Sequence, residues 1–415
     1  TYLMSIPLGN ILQSQHYVLF PDPTKQNTPS LHNGLTEKIG NFSLELLYHT
    51  ASLQPEGQNM IMSPFTVWTT LAVISEGATA RTKQQINNAL RLPTRNQVAT
   101  RQSFIEIGKW LQVNTSTVEL AKFNAIFVDL MNLPWEHFRD KAKLYDTRMV
   151  ELNYTNNVNA ANSVNTVVSS FTHGRLKNIV DGSYFQDGSM VLTSSVYFKG
   201  QWTVPFNVTN TMKQPFYDSN GKQTGEVMMM YNRYTYPFSN IKALQARVIE
   251  LPYGKENRLS MLVMLPNPGV SLEAMFQNFN NVTLDEFFEQ LRLSKEEYAD
   301  DEVDCFIPRF KIESNIDLTE VLRSRMGISD LFDASQSRLE NIARTPMFVS
   351  KAVHKAEIEV TEDGTTASAV TVVEFSNRIG VVRFEANRPF TYMIIEKQWS
   401  FSVQQHTYMF SLSKH

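Results

Sequence analysis

From Gly364 to Arg378 the chain is built mostly of small and β-branched residues, with one charge, Glu374, between those two positions. No other stretch restricts the fold as much. Under the two-residue period of a strand, one face carries Thr365, Ala367, Ala369, Thr371, Val373 and Phe375. The other carries Thr366, Ser368, Val370, Val372, Glu374 and Ser376. The first face suits burial between neighbouring strands, and the second tolerates water. Yet the tract runs into Phe-Ser-Asn-Arg-Ile-Gly, which suits an exposed loop. A segment that reads both as buried strand and as loop points to an element with two states. An ordinary edge strand followed by a turn fits the same residues, so the tract alone leaves both readings open.

The rest of the chain must supply a core without covalent help. A single cysteine, Cys305, excludes an intrachain disulfide, and its strand-like surroundings suit a small buried hydrophobe. With 42% hydrophobic and 19% charged residues, wholesale disorder and a fibrous fold are excluded. A net charge of −3 argues against a nucleic-acid partner. The longest apolar stretch, Leu259 to Pro266, is far below the roughly 20 residues of a membrane helix, so no membrane partner is expected. The chain opens at Thr1 with no signal-like segment and reads as a mature or trimmed product. Sequons at Asn41, Asn114, Asn153, Asn207 and Asn281 are candidate glycosylation sites, and by themselves they lean only slightly toward an extracellular home.

At roughly 150 residues per domain, the length predicts two or three domains. No repeat or Gly/Ser-rich linker marks a boundary, however, and 415 residues hold only 17 glycines. Helical periodicity is clearest in Thr283–Leu293. There Leu284, Phe287, Phe288 and Leu291 share a face, and Thr283 with Glu286 makes a capping box. Further helices are predicted over Thr36–Ser52, Thr66–Gly77, Lys83–Leu92, Arg101–Val113 and Asp317–Met326. Strands are predicted over Val191–Phe198, Arg247–Leu251, Leu259–Leu265, Val303–Ile312 and Val381–Ala386. Helices dominate early and strands mix in later without a βαβ rhythm, which is an α+β pattern with large sheets.

Catalytic chemistry is missing. There is no G-x-S-x-G, H-E-x-x-H, phosphate loop or G-x-G-x-x-G, and the eight histidines lack metal-ligand spacing. Six acids between Glu296 and Asp304 lack the EF-hand pattern and read as a solvated loop. Neither an enzyme nor a metal or cofactor is expected.

Several blocks in order resemble the serpins, the serine-protease-inhibitor superfamily. Glu362-Asp363-Gly364-Thr365-Thr366-Ala367-Ser368-Ala369 resembles the family's hinge, and Glu385-Ala386-Asn387-Arg388-Pro389-Phe390 the segment after its reactive loop. Asn59 to Phe65, Phe123 to Phe127, Thr172 to Arg175, Phe198 to Trp202, Glu250 to Tyr253 and Pro308 to Glu313 resemble further blocks. The resemblance implies an extension over residues 1–33 and one serpin-like domain over 34–415, with three β-sheets, eight or nine helices and an exposed reactive loop at about 362–383. The missing disulfides then make sense, because a sheet that must open cannot be stapled across.

The family mechanism accounts for the two-state tract. A protease cuts the loop, forms an acyl-enzyme, and is trapped when the loop inserts into the main sheet. The resemblance assigns the hinge to Glu362, Gly364, Thr365, Ala367, Ala369 and Thr371, and its Thr365, Ala367 and Ala369 are compatible with insertion, so it implies an inhibitor. Counting from both ends of the loop places the reactive bond at Arg378–Ile379, and an Arg there suits a trypsin-like serine protease. Arg383 is a rival by charge but sits in a strand-like run. Ser63, Thr66, Ser194, Trp202 and His354 match support positions around the opening sheet. Arg81, Lys83, Arg91, Arg95 and Arg101 lie where some serpins bind glycosaminoglycans, but they are spread out among apolar residues, which argues against such a site. A secreted monomer is the further expectation.

The departures are specific. Ser194 stands where the family usually has Asn, and Val167 replaces a common tryptophan. The family's final strand motif is absent, although Tyr408, Phe410 and Leu412 alternate and could form a substitute strand. This altered end keeps a second reading open, a non-inhibitory serpin acting as a binding, carrier or storage protein.

Overall fold

The computed structural model describes residues 33–55, 57–93, 97–185, 189–364, 381–398 and 405–413. Leu35, Ile39, Phe42 and Leu46 bury one face of α1 (Asn33–Leu53). After the short β1 (Met60–Met62), α2 (Pro64–Gly77) is buried along its whole length, with Pro64 at its first turn where no donor is lost. Helices α3 (Ala80–Ala89) and α4 (Gln97–Trp110) follow. Then come β2 (Val118–Asp129), α5 (Glu136–Leu144), β3 (Thr147–Leu152), α6 (Asn157–Phe171) and β4 (Ser189–Gly200). Strands β5 (Met212–Tyr217), β6 (Gln223–Tyr234), β7 (Phe238–Ile241), β8 (Ala246–Tyr253) and β9 (Leu259–Pro266) run consecutively. Next are α7 (Leu272–Asn278) and α8 (Leu284–Glu297), the latter opened by the Thr283–Glu286 capping box. The chain ends with β10 (Val303–Pro308), β11 (Phe310–Asp317), β12 (Phe348–Val360), β13 (Val382–Glu385), β14 (Phe390–Gln398) and β15 (Gln405–Ser413).

The strands form three sheets, in the orders β11-β12-β4-β2-β3, β1-β15-β14-β9-β8-β7 and β13-β10-β6-β5. With eight α-helices among the described residues, this is a single-domain α+β fold, as the resemblance implied. One apolar layer, around Phe42, Trp68 and Phe287, lies under α1, α2 and α8. A second, around Trp202, Tyr253 and Tyr392, is closed by residues of all three sheets.

Two local expectations are refined and a third is met. The run Val303–Ile312 is two strands in different sheets, dividing at Pro308 and Arg309, because a proline fixes φ and has no N–H to continue a ladder. The helix predicted over Asp317–Met326 is present but shorter: β11 extends through Asp317 with alternating burial, and the helix runs over residues 319–325, π-type from Val321 to Arg325, before Gly327 adopts φ +72°. At the C-terminus the substitute strand does form. β15 lies between β1 and β14, with Leu412 opposite Met60 and Phe410 opposite Met393.

Candidate functional site

β12 and β4 run side by side in parallel, paired from Phe348 with Ser189 to Ile358 with Phe198. β12 leads directly into Thr361–Gly364 and then into the 365–378 tract. A chain that leaves β12 and doubles back is antiparallel to β12. Because β4 is parallel to β12, it is antiparallel to β4 as well. The seam between these strands is therefore a slot that would accept the tract with antiparallel pairing on both sides, the more stable arrangement.

Two sets of contacts hold the seam closed. At its centre His354 and Ser194 are paired neighbours, and Asn124 of β2 is opposite Ser194 on the other side. The Ser63 N–H donates to His354 Nε2 at 2.9 Å. A backbone N–H can only donate, so the imidazole proton sits on Nδ1 and is directed at Ser194 Oγ, 2.8 Å away. Burial pushes the His354 pKa down to about 3, so the ring is neutral. Ser63 thus acts through its backbone at the start of α2, while the Thr66 hydroxyl donates to the Ser63 carbonyl at 2.9 Å. The Asn124 Oδ1 is buried with no hydrogen-bond partner.

This latch makes two predictions. Between pH 7 and 5 the unfolded chain takes up a proton at His354 and the folded chain does not, so stability falls as pH falls, by about 2 kcal/mol from this group. His354→Gln, which keeps an acceptor for Ser63 but does not titrate, should show a flatter fall in urea midpoints over that window; an unchanged slope would discount the histidine. Ser194→Asn supplies the amide donor that Asn124 lacks. It should raise the stability of the closed sheet by about 1 kcal/mol in the same urea assay.

At the top of the slot, the Trp202 indole donates to the Thr361 carbonyl at 2.8 Å and stacks on Tyr253 with ring centroids 4.3 Å apart. The Trp202 N–H donates to the Asp363 carbonyl at 3.3 Å and the Phe206 N–H to the Glu362 carbonyl at 2.8 Å. The buried Glu362 carboxylate accepts from the Thr211 hydroxyl at 2.7 Å and lies 3.7 Å from Arg309. Gly364 takes φ +76°, and a Cβ there would lie 2.3 Å from the Gly200 carbonyl oxygen. Only glycine fits both that conformation and that approach. The clamp thus pins residues 361–363 against Trp202, Phe206 and Thr211 at the end of the β12–β4 seam.

Ser63, Thr66, Ser194, Trp202, His354, Glu362 and Gly364 thus gather along one seam. Thr365, Ala367, Ala369, Thr371, Arg378 and Ile379 lie outside the described residues. Arg383 is held in β13, 3.1 Å from Glu385 and over the Phe306 ring. Of the scattered bases, Arg81, Arg91 and Arg101 pair with Asp330, Glu45 and Glu76, and Arg95 lies outside the described residues. Cys305 is fully buried, and that burial raises its thiol pKa. Among the sequons Asn114, Asn153 and Asn281 are exposed and Asn207 is half-buried. Asn41 is corrected. Only 6% exposed on the inner side of α1, it has no room for a glycan in this fold. The sequence reading did not single out Thr211, whose role depends on a contact across 151 residues of chain.

A single domain whose main sheet holds a closed parallel β12–β4 seam, latched at the centre and clamped at the top, is the class that these elements define. The family model described as serpin (serine protease inhibitor) matches residues 37–403, and the chain belongs to that family. It is 30% identical to human Serpin B9 over 372 residues, covering 87% of this chain and 95% of that protein. It is 29% identical to mouse Antithrombin-III over 393 residues, covering 90% of this chain and 82% of that one. Serpin48 of the insect Tenebrio molitor has the same fold, with a TM-score of 0.72 at 21% identity over 94% of this chain and all of its own. Membership places the protein among protease inhibitors and not among enzymes.

Proposed function

We propose that the protein is a suicide-type inhibitor of a trypsin-like serine protease, acting as a secreted monomer. The observation that carries this reading is the parallel β12–β4 seam, with β12 continued in sequence by a tract rich in small residues. The protease attacks Arg378–Ile379, the Arg378 guanidinium occupying an acidic specificity pocket. Once the bond is cut and the acyl-enzyme formed, the tract is free at its far end. It then enters the slot and carries the acylated protease with it. Entry exchanges the β12–β4 ladder for two antiparallel ladders, and the Trp202 clamp and the His354–Ser194 latch must yield first. The exposed sequons Asn114, Asn153 and Asn281 support the extracellular part of the reading.

Incubation with trypsin tests it. A complex that survives denaturing electrophoresis, with the new N-terminus at Ile379, is the expected result. Clean cleavage with no complex would sink inhibition and leave the carrier or storage reading.

A further inference from the structure

A cavity of about 680 Å³ lies between the C-terminal end of α8, the β7–β8 pair and the start of β10. That is the size of a small-molecule site. Three tyrosines line it, Tyr234, Tyr236 and Tyr298. They come together because Tyr234 ends β6 opposite Val303 of β10, and residues 298–302 join α8 to that same strand. Tyr234 and Tyr236 meet edge to face with ring centroids 5.4 Å apart. Tyr236 is buried, whereas Tyr298 is 51% exposed and Tyr234 44%. The turn that carries Tyr298 is held in place. The Tyr298 N–H donates to the Ser294 carbonyl at 2.9 Å, and the Asp301 N–H to the Tyr298 carbonyl at 3.1 Å.

The charges in the cavity sort into two sets. On one side Glu250 accepts from Lys397 and, at 2.8 Å, from the Ser260 hydroxyl. Burial works against its ionisation, yet Lys397 and then Lys295 hold the Glu250 carboxyl below its usual range. Both lysines of the cavity are thus committed to Glu250. On the other side Glu297 and Asp301 are exposed and outside the ion pairs of the described residues. Glu297, hydrogen-bonded to the Tyr298 hydroxyl, pushes the pKa of that hydroxyl up, and Asp301 adds to the effect, which places both carboxylates beside the ring. A π face and a carboxylate favour the same sign of charge, so this end of the cavity attracts a cation. We propose that the cavity binds a small organic ammonium, a protonated or quaternary amine on an apolar body. The cationic head lies at the Tyr298 end near Glu297 and Asp301, and the body packs against Pro237 and Phe238, which line the same space. None of these residues belongs to the latch, the clamp or the 365–378 tract, so the site is separate from the inhibitory one.

The test titrates the full chain by isothermal calorimetry with two probes. One is 2-phenylethylamine, cationic at neutral pH, and the other is 3-phenylpropionate, a similar body of opposite charge. The amine should bind one to one and roughly tenfold more tightly than the carboxylate. Tyr298→Ala should weaken it roughly tenfold, and so should Glu297→Gln combined with Asp301→Asn. Tyr298→Phe, which keeps the ring, should bind as the wild type does. All three side chains are exposed, so urea midpoints should stay where they are. No binding at millimolar amine, equal affinity for the two probes, or unchanged affinity in the Tyr298→Ala and double-acid variants would each overturn the proposal. Complex formation with trypsin should be the same in every variant, so failure of this site and failure of the inhibitory reading register in different assays.

Discussion

Arg378→Ala should cut the rate of complex formation with trypsin by roughly two to three orders of magnitude. At the proposed reactive bond, the Arg378 guanidinium can pair bidentately with a buried carboxylate. Truncating one partner of such a desolvated pair costs about 2–5 kcal/mol. The loss should fall on the rate of attack and spare the fold. Urea midpoints should therefore match the wild type while the covalent band disappears at short times. A variant that still formed complex at the wild-type rate would move the reactive bond elsewhere. Arg383 would be a poor substitute, because β13 holds it paired with β10, opposite Asp304.

Where local sequence carried its own physical signal, the structure follows it. The Thr283–Glu286 capping box is present, and the apolar run Leu259–Leu265 is a central strand buried along its length. The hinge glycine was legible as a motif. Its reason, a carbonyl 2.3 Å from where a Cβ would sit, needed the fold. Helix α6 escaped the periodicity because Asn, Ser and Thr fill most of it, and only Ala160, Ala161, Val164 and Val168 face inward. The alternation of Tyr408, Phe410 and Leu412 announced a strand but not its place between β1 and β14, which depends on partners far away in sequence. The cavity at the end of α8 was invisible for a similar reason, since its walls come from segments far apart in sequence.

The latch sharpens one departure. In this chain His354 meets a serine where the family usually supplies an asparagine, and the neighbouring Asn124 carbonyl oxygen is left buried without a partner. A buried acceptor in that state costs about 1–3 kcal/mol, and the cost falls on the closed sheet.

Thr365→Arg should turn the inhibitor into a substrate, and it separates cutting from trapping. Arg378 is untouched, so trypsin should cleave at the wild-type rate. Thr365 is the first residue past the Gly364 pivot, and on turning back it meets the end of β12 near Val360, which is 1% exposed. A threonine enters that place with a hydroxyl that can bond the backbone. An arginine must bury a guanidinium with no acid opposite, at a cost of several kcal/mol. Trapping is a race between insertion and deacylation. About 2–3 kcal/mol added to the insertion barrier slows it roughly 30- to 150-fold. The ratio of covalent complex to cleaved free protein on a denaturing gel should therefore invert, from mostly complex to a few per cent at most. Thr365→Ser, equally small and able to hydrogen-bond, should keep the wild-type ratio. If the arginine variant trapped trypsin as well as the serine one, the tract would not be entering the slot hinge-first, and the parallel β12–β4 seam would need another explanation.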